Sequence, residues 1–101
     1  MYIKVFGATI RKLREDKGLL LRHVAAELDI DTALLSKVER GERNLKKEQV
    51  IKVAKILDQA IEDLIILWLT DRISGLIEDE DYAIAALTMV INKLKKQKKP
   101  E

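Results

Sequence analysis

Val24-Ala25-Ala26-Glu27-Leu28-Asp29-Ile30-Asp31-Thr32-Ala33-Leu34-Leu35-Ser36-Lys37-Val38-Glu39-Arg40-Gly41 is the stretch on which the reading of this 101-residue chain turns. Val24, Ala25 and Leu28 share one face of a short helix from about Leu21 to Leu28, by the three- and four-residue spacing of an amphipathic helix. Leu28-Asp29-Ile30-Asp31 is then a tight turn. Asp31 is placed as an N-cap, its carboxylate expected to accept from amides of the next turn. The following helix, Thr32 to Arg40, turns Leu35 and Val38 inward and stops at Gly41. Ala25 is small where two crossing helices must approach closely. Ile30, Leu35 and Val38 are apolar, as they must be to fix the second helix at one angle. The outward side chains of that helix are left free.

Helical periodicity extends in both directions from this pair. A first helix runs from about Gly7 to Lys17 with Ile10 and Leu13 inward, and Gly18 is its expected stop because glycine enters the left-handed region at little cost. After the polar loop Glu42 to Lys47, a fourth helix from about Lys46 to Leu57 carries Val50, Val53, Ala54 and Leu57. The fifth, about Ile61 to Ile77, is apolar on several sides; a helix greasy all round must be buried all round, which so small a monomer can hardly achieve. The acidic run Glu78-Asp79-Glu80-Asp81 is expected at the start of a last helix, where the helix dipole favours negative charge. That helix reaches about Lys96, with Ile84, Leu87, Ile91 and Leu94 on one seam. Strand signals are nearly absent, with 4% aromatic residues, one proline and no alternation of β-branched with polar residues.

Length allows one compact core. With no cysteine there is no disulfide framework and no thiolate ligand or nucleophile. The N-terminus lacks a signal-peptide h-region, and the apolar stretch Leu64 to Leu69 is too short to span a bilayer. The expectation is therefore a cytoplasmic protein without membrane association. The formal net charge of +2 conceals a segregation. Residues 1–47 hold 11 Lys and Arg against 7 Asp and Glu, residues 48–92 hold 3 against 9, and residues 93–101 hold 5 against 1. A basic first half suits a polyanionic partner, and the acidic middle would stand away from it.

Two short helices joined by a tight turn are the sequence form of a helix-turn-helix. The outward residues of the second helix are Thr32, Ala33, Ser36 and Lys37. These are hydroxyls, a methyl and a cation, all suited to base edges in a DNA major groove. Arg40, Arg43, Lys46 and Lys47 lie close by in sequence and are suited to phosphates. Gly7 to Leu64 resembles the XRE family of lambda-Cro and phage-repressor type. The matching residues are Ile10-Arg11-Lys12-Leu13-Arg14, Gly18-Leu19, Val24-Ala25-Ala26-Glu27-Leu28, Leu35 to Asn44, Val53-Ala54-Lys55-Ile56-Leu57 and Ile61-Glu62-Asp63-Leu64.

The resemblance implies a five-helix, lambda-repressor-like DNA-binding domain over residues 6–64; helical periodicity makes the whole chain all-α and adds a C-terminal helical extension over 65–96. Residues 97–101 would be a frayed basic tail. The resemblance further implies a transcriptional regulator that binds a palindromic operator in double-stranded DNA as a homodimer, a controller of restriction-modification genes being one form. It also implies that Arg14 of the first helix pairs with Glu39 of the recognition helix. Three positions depart from the family pattern. Leu20 and Leu21 stand where a Ser or Thr cap and a Gln that contacts a phosphate or a base are usual, leaving Arg22 as the substitute contact. Asp29 fills a turn position usually held by Gly. Ala33 stands where a polar base-reading residue is common.

Other chemistries find little support. His23 has no second His or Cys beside which to bind a metal, Ser36 and Ser74 have no positioned base, and the Glu78–Asp81 run lacks the spacing and glycine of a calcium loop. No metal, cofactor, small-molecule ligand or enzymatic activity is expected. The surplus of apolar side chains after about Ala60 points to a dimer interface built from Leu64, Ile65, Trp68, Leu69, Ile73, Ile84, Leu87, Ile91 and Leu94. The competing class is an antitoxin-like module that uses the last two helices to hold another protein.

Overall fold

A computed structural model describes residues 4–98. Six helices account for the regular structure, with no strand among the described residues: α1 (Phe6–Asp16), α2 (Leu21–Glu27), α3 (Thr32–Glu39), α4 (Lys47–Ile56), α5 (Ile61–Ile77) and α6 (Ala83–Gln97). No helix among them is long and apolar enough to cross a membrane.

The first four helices end in one way. After each, a residue enters the left-handed region: Gly18 (φ 69°), Asp29 (φ 59°), Gly41 (φ 79°) and Asp58 (φ 56°). Each of these amides donates to a carbonyl in the last turn, and the next amide reaches one residue further back. The pairs are Gly18 N to Glu15 O and Leu19 N to Arg14 O, Asp29 N to Ala26 O and Ile30 N to Ala25 O, Gly41 N to Val38 O and Glu42 N to Lys37 O, and Asp58 N to Lys55 O and Gln59 N to Ala54 O. This is the Schellman arrangement, which satisfies end carbonyls and turns the chain sharply. Aspartate takes the glycine role twice, since its short polar side chain tolerates that region better than most.

The core gathers one face from each of α1 to α5. Ile10, Leu35, Val38, Val50, Val53, Leu57 and Leu64 are fully enclosed, with Phe6, Val24, Ala25, Leu28, Leu45, Ala54 and Trp68 beside them. Here α3 packs on both α1 and α2, while α4 packs on α5 and α5 reaches α1. α5 is held at two further points. The buried Asp71 carboxylate accepts from the amides of Val5 (3.0 and 3.1 Å) and Phe6 (2.9 Å), so a side chain of α5 caps the start of α1. The Trp68 indole N–H donates to the Leu45 carbonyl at 2.8 Å.

Several expectations are corrected. Leu64 and Trp68, assigned to an interface between chains, are 2% and 7% exposed inside the chain's own core, because α5 turns that face onto α4 and the α3–α4 loop. α5, as expected for so small a chain, leaves part of its apolar surface uncovered: Ile66 (59%) and Leu76 (79%) are exposed. The acidic run Glu78–Asp81 does not open the last helix. α6 starts at Ala83, after Tyr82 in the left-handed region, and its first turn holds no acidic residue. Asp31 occupies the N-cap of α3 but its carboxylate makes no capping hydrogen bond. Gln97, expected to fray, is the last residue of α6, and Lys98 closes that helix; the rest of the expected tail, residues 99–101, lies outside the described residues. α6 buries none of its side chains.

Candidate nucleic-acid interface

Recognition by a helix requires one rigidly seated face and one free face. The inner face of α3 is seated by Leu35 and Val38 in the core and by Glu39, which is buried despite its charge. Arg14 of α1 meets Glu39 in a two-pronged pair, Nε to Oε2 at 2.7 Å and Nη2 to Oε1 at 3.0 Å. The third guanidinium nitrogen, Nη1, donates to the Leu19 carbonyl at 2.9 Å. Hydrogen bonding to Glu39 raises the Arg14 pKa above its ordinary value, so the guanidinium stays charged. α1 also approaches α3 backbone to backbone. A Cβ on Gly7 would strike the carbonyl oxygens of Val38 and Glu39, so only glycine fits there.

The outer face carries Thr32, Ala33 and Lys37, all exposed, with Ser36 partly buried beside them. Arg22, Arg43, Lys46 and Lys47 are exposed. Arg40 is exposed but engaged: Nε and Nη2 grip the Glu42 carboxylate at 3.0 and 3.2 Å, and Nη1 donates to Ser36 Oγ at 2.6 Å. This pairing raises the pKa of Arg40 and lowers that of Glu42. Two residues assigned to direct DNA contact, Ser36 and Arg40, are thus bound to each other, and an acid sits among the bases. Sequence reasoning missed Glu42, Gly7 and Asp71. Only Gly7 left a local signal, a glycine at the first turn of a helical pattern, which usually has a packing reason.

Removing the acid should strengthen binding to any duplex. Glu42→Gln is expected to tighten DNA binding roughly three- to tenfold at low salt, whatever the sequence, by freeing Arg40 for phosphate. Fluorescence anisotropy on two unrelated duplexes measures this. Unchanged or weaker binding would show that Glu42 does not restrain Arg40.

Residues 10–64, which span α2, the turn and α3, match the family described as Helix-turn-helix. The chain belongs to this family of DNA-binding regulators, in its XRE, Cro/C1-type branch. A helix-turn-helix transcriptional regulatory protein of Methanocella arvoryzae is 36% identical over 61 residues. That match takes in 60% of this chain but only 18% of the relative's length. Among solved structures, the clp gene regulator ClgR from Corynebacterium glutamicum is similar at 30% identity and a TM-score of 0.56, over 66% of this chain and 87% of that one. The restriction-modification controller protein C.AhdI from Aeromonas hydrophila is similar at 36% identity and a TM-score of 0.54, over 58% and 89% of the two chains. A second ClgR crystal structure shares the fold across 97% of this chain and 94% of its own, at 23% identity and a TM-score of 0.58.

Proposed function

We propose that this helix-turn-helix protein is a sequence-specific transcriptional regulator that grips a palindromic operator as a homodimer, with α3 of each copy in the major groove. The observation that carries this is the two-sided character of α3: an inner face locked by the core and the Arg14–Glu39 pair, an outer face open and flanked by cations. Thr32, Ala33, Ser36 and Lys37 read base edges. Arg22, Arg40, Arg43, Lys46 and Lys47 hold phosphates and set the register. The homodimer reading draws on the exposed apolar side chains of α5 and α6. Leu69 and Ile73 on α5 and Ile91 and Leu94 on α6 are about half exposed, Ile84 is more so, and Ile65 and Leu87 are partly covered. Two-fold symmetry would set two copies of α3 about 34 Å apart, one turn of B-DNA.

The likeness to C.AhdI supports a narrower reading as a controller of restriction-modification genes, and it predicts an operator beside such genes. Lys37→Ala is expected to lose about 1–3 kcal/mol on the cognate operator and to relax preference at one base pair. Arg43→Ala is expected to weaken binding to all sequences alike and to make the salt dependence shallower, by about 0.9 in the log–log slope for each phosphate released. Selection from random duplexes with each variant, followed by salt titration, measures both. A consensus unchanged by Lys37→Ala would remove that residue from the reading face.

A further inference from the structure

Arg72 lies on α5 beyond the residues that match the family, 10–64. It is one of three basic residues between 48 and 92, where nine are acidic. Its guanidinium carbon stands 4.7 Å from the centroid of the Trp68 ring. That ring is itself pinned, since its N–H donates to the Leu45 carbonyl. The guanidinium is therefore held beside the loop between α3 and α4, where Asn44, Leu45, Lys46, Lys47, Trp68 and Arg72 line one open depression. Among the described residues no carboxylate forms a salt bridge with Arg72. An arginine stacked on an aromatic face keeps its in-plane N–H donors free for a planar or bidentate acceptor.

We propose that Arg72, with Lys46 and Lys47, forms a phosphodiester-binding site through which α5 adds a backbone contact to the helix-turn-helix. The proposal rests on the DNA-binding reading above. Lys46 and Lys47 supply two mobile point charges and Arg72 supplies a fixed fork, the pairing suited to a single phosphate with two free oxygens. The loop that carries this depression, residues 41–46, leads directly from α3, so the site continues the basic edge formed by Arg43. The occupant is thus a phosphate of the same duplex rather than a free anion. Leu69 and Leu76 lie three and four residues from Arg72, on neighbouring positions of the helix surface, so Arg72 borders the apolar stripe of α5. In a two-fold dimer joined by that stripe, the two Arg72 side chains would flank the seam and meet phosphates near the operator's centre.

Salt titration of full-length Arg72→Gln and Arg72→Lys on the selected operator tests this. Each lost phosphate contact lowers the slope of log Kd against log salt by about 0.9, or roughly 1.8 for a dimer. Between about 50 and 200 mM salt, Arg72→Gln should therefore lose roughly 12-fold less affinity than the unaltered protein does. Its base consensus should be unchanged. Arg72→Lys keeps the charge and should keep the slope, while binding more weakly for want of the fork. An unchanged slope for Arg72→Gln, with or without weaker binding, would reduce Arg72 to a support for Trp68 and overturn the proposal alone. Inorganic phosphate that binds the protein and displaces no duplex would place a free anion in the depression and overturn it as well. Failure of the unaltered protein to bind any duplex would overturn both readings.

Discussion

Glu39→Gln is expected to cost about 3–5 kcal/mol of folding stability, because it leaves the largely shielded Arg14 guanidinium without its main carboxylate partner. The two side chains are only 12% and 6% exposed. The carboxylate accepts two charge-assisted hydrogen bonds, from Nε and Nη2. A Gln amide can accept with its oxygen but turns an N–H toward the other guanidinium nitrogen. Since domains of this size are stable by some 5–15 kcal/mol in all, such a loss brings the variant near its unfolding threshold. Arg14→Met strands the opposite charge and should cost a comparable amount. Replacing both with apolar residues should recover much of the loss, because no uncompensated charge remains. Denaturant melts of the two single variants and the double variant form a cycle that reads the coupling. Small, additive losses would show that the pair does not hold α3 to α1.

The second large effect concerns association. Leu69→Glu with Ile73→Glu is expected to weaken self-association at least 100-fold, about 2.8 kcal/mol on the affinity scale. Each of these side chains is nearly half exposed in the single chain. Covering such a residue contributes about 1.5–3 kcal/mol at most, and a two-fold interface counts every substitution twice. Neither side chain belongs to the core, so the fold should survive, and sedimentation equilibrium reads the change directly. Deleting α6 by ending the chain at Ile77 is the companion test, since no residue of α6 is fully buried. A chain ending near Gln59 would mislead: it would remove Leu64, Trp68 and Asp71, which belong to the core and to the cap of α1. Undiminished association in the doubly charged variant would remove α5 from the interface.

These residues also mark what the sequence discloses and what it conceals. Periodicity and the stops at Gly18 and Gly41 are local, so the helices were legible from the sequence alone, α5 to its first and last residue. The left-handed Asp29 and Asp58 were less so, because aspartate signals caps and turns as readily as it ends helices. At the N-cap of α3 the same ambiguity misled, since Asp31 sits at the right position without accepting a hydrogen bond. The surplus of apolar residues in α5 was visible. Which of its faces the chain itself covers is not visible there, so the sequence places Leu64 and Trp68 at a partner where α4 and the α3–α4 loop cover them instead. Asp71 capping an amide 65 residues earlier has no local signature at all. The acid at position 42 is one polar loop residue among several in the sequence, and only the folded geometry shows it holding Arg40.

Selection of bound sites from random duplex DNA, carried out in parallel with the unaltered protein and Lys37→Ala, tests the central claim that α3 reads sequence. The unaltered protein should enrich a palindrome whose half-sites lie about one helical turn apart, and Lys37→Ala should lose preference at one symmetric pair of positions. Retention of DNA with no enriched sequence, or an identical consensus from both proteins, would contradict it.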